Sequence, residues 1–288
     1  MNEALFARLA SALDHEPVVL ASVLATQGAT PRKAGARMLI AAGWTAQSIG
    51  GGLAEARTID AARALLAGGG ERRELAIDLR GGAGTAGVCG GHMQLALRRW
   101  DRHDAPAARR IAARLAAGES LQLSAHDVGA DAGAMRIEAD PRLLIVGGGH
   151  CGAALYDLAR HLDFELWIHD PRGEYADPAR FPGARVSSGN FAALHDALAT
   201  PRALYAVLLN RDYPSDVAAL RVLAGHDYAF LGMMGSARRI HEVRSALGPA
   251  LSASLAALHA PVGLPIGAQT PHEIAVSVLA QLLQRRAR

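Results

Sequence analysis

Apolar residues recur every fourth position over 2–14, at Leu5, Leu9 and Leu13, which predicts one buried stripe of an opening helix. The period then changes. Residues 17–26 (PVVLASVLAT) form a continuous apolar run of buried-strand length, and shorter strands are expected at 37–41 and 45–49. Gly50-Gly51-Gly52 interrupts, after which 53–67 reads as a helix with Glu55 in its first turn. A strand within GGGERRELAIDLR, a glycine-rich loop over 81–91 and a strand over 93–100 complete an expected α+β unit, a mostly antiparallel sheet with helices packed on one face. A helix at 106–117 and a short strand at 121–124 follow, placing an N-terminal domain at 1–125. Over 126–140 the periodicity lapses and Ala, Gly and Asp concentrate, so this segment is expected to be a linker.

From residue 141 the chain alternates strand and helix. Strands are expected near 143–146, 164–169, 203–209 and 228–231, and helices near 151–162, 191–199 and 216–224. Thr270-Pro271-His272-Glu273 has the form of a capping box with proline at the first helical position, and Ile274, Val278 and Leu282 mark the buried face of a final helix. The fold class is therefore α/β: an N-terminal α+β domain followed, over 141–288, by a Rossmann-like doubly wound parallel-sheet domain.

Composition narrows the function classes. At 288 residues the chain has room for two cores. No apolar run approaches the roughly 18 residues that cross a bilayer, and the first residues lack a signal-peptide core, so a cytoplasmic protein without a membrane partner is expected. The pI is about 9.2, but the net charge is only +3, the aromatic content is 5%, and the arginines are interspersed with acids. That pattern argues against a nucleic-acid partner. Cys89 and Cys151 are too few for a disulfide framework or a Cys-x-x-Cys zinc knot. Lys33, the sole lysine, lies in Thr30-Pro-Arg-Lys-Ala-Gly35.

The most informative chemistry lies in 143–170, where an apolar strand runs into Gly147-x-Gly149-x-x-Gly152 and a second strand closes on Asp170. The three glycines suit a tight turn, close approach of a pyrophosphate and helix–strand contact, and the following helix start favours an anion. Asp170 stands eighteen residues beyond Gly152, near the position of an acid that binds ribose hydroxyls. NAD or a related nucleotide is thus an expected ligand, with NADP disfavoured by the Asp170 charge. A second match, Gly82 to Gly87, leads into a strand-like segment and is set aside. His150 reads as a loop histidine within reach of a phosphate, and Cys151 as a packing residue. Tyr-x-x-x-Lys, HExxH, GxSxG and Walker A patterns are absent, which removes the short-chain dehydrogenase, metalloprotease, serine hydrolase and P-loop classes.

ATQGATPRKAGARMLI, SIGGGLAEA, VCGGHMQLAL, GGGHCG with HDPRGEYADPARFPGA, LGMMGSARRI and APVGLPIGAQTPHEIAVSVLA occur in that order from about 18 to 283. In this order they resemble the motifs of the xanthine dehydrogenase accessory proteins, the XdhC/CoxI family. The resemblance implies a non-enzymatic chaperone of purine metabolism. Such a protein would carry and protect the molybdenum cofactor (molybdopterin), deliver it to xanthine dehydrogenase or a related molybdenum hydroxylase, and meet a cysteine desulfurase as sulfur source. Exposed family motifs also suit a homodimer.

On that reading Gly50, Gly51 and Gly52 at a helix start could receive the cofactor phosphate, with Arg32 and Lys33 adding charge, or simply form a tight turn. Cys89, beside Gly90 and Gly91, could be the soft ligand for molybdenum or sulfur, or a buried small hydrophobe. Gly235 and Ser236 head a helix at the sheet edge where ligands bind, or provide an ordinary N-cap. Two departures stand out: Ala237-Arg238-Arg239 where the family has a more basic run, and Gln281 where it often has glutamate. The competing class is an NAD-dependent oxidoreductase, or a nucleotide or redox sensor on the same fold.

Overall fold

The computed structural model describes residues 2–81, 90–130 and 134–286, which divide into two units, 1–139 and 140–288. The N-terminal unit runs α1 (Asn2–Ala12), β1 (Val18–Gln27), β2 (Arg37–Ile40), β3 (Thr45–Gln47), α2 (Gly52–Gly68), β4 (Arg72–Asp78), β5 (His92–Trp100), α3 (Ala105–Ala116), β6 (Leu121–Leu123), α4 (Ala125–Val128) and β7 (Met135–Ile137). Its main sheet is antiparallel in the order β3-β2-β1-β5-β4. Helices cover both faces, not the one face expected. Val18 and Leu20 enter a core with Leu5 and Leu9 of α1 and Ala108 and Leu115 of α3, whereas Val19, Ala21 and Val23 meet Ala54, Ala61 and Ala62 of α2. Successive strand residues point to opposite faces, so an unbroken apolar run such as VVLASV needs cover on both.

The expected linker over 126–140 is instead largely part of this unit. Ser124 and Asp127 form a reciprocal capping box that starts α4, with Asp127 N donating to Ser124 Oγ at 3.1 Å and Ser124 N donating to Asp127 Oδ2 at 2.9 Å. β7 pairs antiparallel with β6, and Val128, Ala130 and Ile137 join the core of α1 and α3. These elements are too short to display a period, which is why composition alone suggests a linker.

The second unit is a doubly wound parallel sheet. It runs β8 (Arg142–Val146), α5 (His150–Ala159), β9 (Glu165–Asp170), β10 (Arg185–Ser188), α6 (Leu194–Leu198), β11 (Leu204–Leu208), α7 (Tyr213–Leu223), β12 (Phe230–Met233), α8 (Ala237–Ser254, broken at Gly248-Pro249) and α9 (Pro271–Arg286). The strand order is β10-β9-β8-β11-β12. Leu144 and Val146 of β8 pack with Leu220 of α7 and Ile240 of α8; Leu143 and Ile145 pack with Leu155 of α5 and Val278 of α9. The α9 capping box is present, Glu273 N donating to Thr270 Oγ1 at 3.3 Å and Thr270 N to Glu273 Oε2 at 2.9 Å. β10 is an addition to the expected strands, because Arg-Val-Ser-Ser is a half-exposed edge strand with little apolar signal. No helix among the described residues is long and apolar enough to cross a membrane.

Candidate functional site

The crossover between β8 and β11 brings the loops after β8, β9 and β11 together at the carboxyl edge of the parallel sheet, where ligands of this fold bind. Gly147 adopts φ +113°, and a Cβ there would lie 2.6 Å from the Leu209 carbonyl group. A Cβ on Gly152 would fall 1.8 Å from the Gly147 oxygen, so only glycine lets α5 start this close to the turn. Gly149 faces open space and N-caps α5 without any side-chain cap. That leaves its first-turn N–H groups without a side-chain acceptor, as an anion site requires.

Asp170, the acid expected at the ribose, makes its hydrogen bonds within the chain. It is fully buried; Arg172 Nε and Nη2 donate to its two oxygens at 2.9 Å each, and the backbone N–H groups of Arg172 and Gly148 donate at 3.0 and 2.9 Å. Two bonds on each oxygen fill the carboxylate. Burial alone would raise its pKa, but the bonds from Arg172 and Gly148 prevail and hold it below the usual range. Asp170 therefore ties the end of β9 to the glycine loop. The Tyr175 carbonyl crowds Gly148, where a Cβ would lie 2.0 Å from it. A cleft of about 200 Å³ remains, lined by Asp170, Pro171, Arg172, Asn210, Arg211, Asp212 and Ser215.

Arg239 is the residue of this edge that sequence reasoning missed. Its Nε donates to the buried Asp216 carboxylate at 2.8 Å, and its other nitrogens reach the carbonyls of Asn210, Arg211 and Asp212 at 2.9, 3.0 and 3.1 Å. Asn210 Nδ2 also donates to Asp216 at 3.0 Å. Burial pushes the Asp216 carboxyl up, against these hydrogen bonds. The available signal was position: Arg239 falls in the first turn of α8, three residues after Ser236. Ser236 itself is the N-cap, accepting from Arg239 N at 3.3 Å, and a Cβ on Gly235 would lie 3.3 Å from Arg239 Cδ. Cys151 is half-buried against the α5 core, and burial raises its thiol pKa. Gln281 takes the Gly263 N–H at 2.7 Å through its amide oxygen, a contact that needs no carboxylate.

In the N-terminal unit the loop after β1 unites several of the expected residues. A Cβ on Gly50 would lie 2.5 Å from Pro31 Cγ and 3.6 Å from Arg32 Cγ, and one on Gly91 would lie 2.2 Å from the Ala29 oxygen. Gly50-Gly51-Gly52 and Gly90-Gly91 thus both abut the segment that carries Arg32. All three glycines of the first motif have positive φ. The N–H groups of Gly50 and Gly51, part of the phosphate cradle expected, have acceptors within the chain. Ile49 N and Gly51 N donate to Glu55 Oε2 at 3.1 Å each, and Gly50 N donates to Ser48 Oγ at 3.0 Å. Glu55, which the sequence marks only as a first-turn acid, occupies the place assigned to a phosphate.

Gly90 N donates to the Leu79 oxygen at 2.8 Å. Cys89 and the second glycine pattern, Gly82 to Gly87, lie outside the described residues. Among the described residues no group of three or more His, Cys, Asp or Glu side chains could hold a metal ion. A cleft of about 640 Å³ is bounded by the loop 30–37 and by residues 136–138, with Asn2 at one side.

Residues 12–77 match the XdhC and CoxI family, and residues 143–282 match the XdhC Rossmann domain. The Escherichia coli (strain K12) protein YqeB is 29% identical over 273 residues, which cover 93% of this chain and 43% of that protein. A Bacillus subtilis (strain 168) protein, named as a probable subunit of xanthine dehydrogenase, is 32% identical over 163 residues, covering 53% of this chain and 45% of that one. The chain spans less than half the length of these relatives. A crystal structure from Bacillus halodurans, described as a xanthine dehydrogenase, shares the fold with a TM-score of 0.85 and 24% identity, covering 100% of this chain and 96% of that one.

Proposed function

The chain belongs to the XdhC and CoxI family, and from that premise we propose that it is an accessory protein of xanthine dehydrogenase or a related molybdenum hydroxylase, carrying the molybdopterin cofactor to its client. The observation that supports this reading is the basic cleft of the N-terminal unit, whose wall, among the described residues, bears Arg32, Lys33, Arg37 and Arg136 with Glu138 as its one acid. A phosphate-bearing cargo of some size suits such a cleft. The cargo's metal would be met by a soft donor, for which Cys89 is the candidate. Its sulfur would come from a cysteine desulfurase.

The alternative of an NAD-dependent oxidoreductase is weakened by Asp170, whose acceptor positions are filled by Arg172 and Gly148. A narrower role for the Rossmann unit, binding a nucleotide phosphate at the uncapped start of α5, fits Gly149 and needs no ribose contact from Asp170.

The test is activation of a separately produced apo xanthine dehydrogenase by molybdopterin, a sulfide donor and this protein, with bound pterin assayed by fluorescence after acid release. Activation and pterin retention are expected, and Cys89→Ser lowers both while Cys151→Ala leaves them near wild type. Absence of pterin binding together with steady nicotinamide reduction by the purified protein would replace the carrier reading with the oxidoreductase one.

A further inference from the structure

Four arginines are buried among the described residues: Arg37, Arg98, Arg142 and Arg202. Three have a carboxylate. Arg98 meets Asp104 at 2.9 Å, Arg142 meets Glu165 at 2.7 Å, and Arg202 meets the same Glu165 at 3.0 Å. Arg37 differs. It is 3% exposed, its Nη1 donates to two neutral oxygens, Asn2 Oδ1 at 3.2 Å and Gly35 O at 3.0 Å, and its Nε and Nη2 are buried with no partner. Burial lowers its pKa to about 10, which still leaves it charged at neutral pH. A buried guanidinium without a counter-charge is costly, so its natural complement is an anion supplied from outside.

The surroundings say where that anion sits. Arg37 borders the cleft of about 640 Å³, together with Thr30, Arg32, Lys33 and Arg136. Among the described residues Glu138 is the only acid on the wall, and it already accepts from Arg136 Nε at 3.3 Å. Thr30 Oγ1 is a second buried polar atom there without a partner. Lys33, Arg37 and Arg136 beside Glu138 call for a multiply charged group more than for a single carboxylate, and the volume leaves room for an organic body attached to it.

We propose that this cleft binds the phosphate of a phosphomonoester, with Arg37 as the buried counter-charge under its floor and Lys33 and Arg136 at its mouth. The identity of the organic body rests on the carrier reading, in which it is the pterin; the phosphate chemistry does not. The site also differs from the glycine turn Gly50-Gly51-Gly52, where Ser48 Oγ accepts from Gly50 N and Glu55 from Gly51 N.

The experiment titrates the full-length protein with inorganic phosphate, followed by ³¹P line broadening, with acetate as a monoanion control and co-purified pterin measured on the same samples. Wild type is expected to bind phosphate more tightly than acetate. Arg37→Met should weaken phosphate binding about tenfold or more, and Lys33→Ala and Arg136→Ala about threefold each, as for loss of one charge-assisted contact apiece. Should Arg37→Met fail to fold, the Lys33→Ala/Arg136→Ala double variant decides. Unchanged phosphate affinity in that folded double variant, or equal affinity of wild type for phosphate and acetate, overturns the site. Phosphate binding that falls in the variants while wild type carries no pterin upholds the site and counts against the carrier reading instead.

Discussion

In the Rossmann unit four buried or edge arginines each meet a carboxylate of their own unit, Arg142 and Arg202 on Glu165, Arg239 on Asp216 and Arg172 on Asp170; in the N-terminal unit Arg98 meets Asp104, whereas Arg37 has, among the described residues, an amide oxygen and a backbone carbonyl alone. The same contrast separates the two clefts. The one at the sheet edge is about 200 Å³ and bounded by a closed ion pair, and the one in the N-terminal unit is about 640 Å³ and excessively basic. Charge satisfied from within fixes a scaffold; charge left open is, on the proposal above, where an anion binds. The motif that looks most like a binding site in the sequence is therefore the better closed of the two.

The sharpest way to break this comparison is to remove one arginine from each unit. Arg239→Met leaves the fully buried Asp216 without its cation and is expected to cost about 3–5 kcal/mol of stability. Arg37→Met removes a charge without stranding a carboxylate among the described residues, and loses only the bonds to Asn2 Oδ1 and Gly35 O, so its effect should lie within about 1 kcal/mol of zero. Urea unfolding of the two full-length variants measures both. Equal destabilisation would show that Arg37 is compensated after all, and the contrast between the units would fail.

A smaller effect separates the glycines of the nucleotide-like loop. Gly152→Ala sets a methyl 1.8 Å from the Gly147 oxygen, a backbone atom that cannot swing away, and should cost at least about 1–3 kcal/mol. Gly149→Ala meets nothing within 4 Å at an ordinary φ of −66° and should stay within about 1 kcal/mol of wild type. Thermal midpoints of the pair test this, and a costly Gly149→Ala would mean that the open space above α5 is not open.

Much of the fold was legible because it is written in periods. The every-fourth-residue stripe of α1, the capping box of α9 and the strand–helix alternation after residue 141 each needed only local residues to be read. What escaped depends on partners distant in sequence or on elements too short to repeat. β10 and β7 have four and three residues, and neither carries a stripe. That Gly90-Gly91 and Gly50-Gly51-Gly52 share one loop is a matter of strand pairing, with Ala29 and Pro31 as the common neighbours. Asp170 stands at the right spacing, yet Arg172, two residues on, takes its oxygens. Arg37 gives no signal at all, since its meaning lies in a carboxylate that is missing.

Within the N-terminal unit the comparison can be sharpened at Glu55. Glu55→Ala releases the N–H groups of Ile49 and Gly51 and the Ser48 hydroxyl and should cost about 1–2 kcal/mol, the loss of three charge-assisted hydrogen bonds partly replaced by water at a half-buried helix start. Phosphate affinity should be unchanged in this variant if the anion belongs to the Arg37 cleft. A clear gain in phosphate binding would return the site to the glycine turn.

The smallest expected effect is on acid sensitivity, and it belongs to the Rossmann unit. His169 is fully buried, with Nδ1 3.0 Å from Ser187 Oγ, Nε2 without a partner and the ring against Phe191. Burial lowers its pKa, with the Asp170 charge opposing. Asp170 is also lowered, burial being outweighed by its hydrogen bonds. Both folded values therefore lie below the unfolded ones, and each group contributes stability that is present above its unfolded pKa, about 6.5 for His and about 3.9 for Asp, and is lost as pH falls through the folded value. His169 titrates first, so the urea midpoint should decline below about pH 6.5, before Asp170 contributes. His169→Leu should flatten that decline between about pH 7.5 and about pH 5. It should not abolish it, because burial and Arg285 lower the pKa of His259 in the same direction. Arg37→Met should leave the decline as it is, because a group titrating near 10 stays charged throughout this range. A decline that persists in full in His169→Leu would place the acid response elsewhere, and one that vanishes in Arg37→Met would place it in the N-terminal unit, where the comparison assigns none.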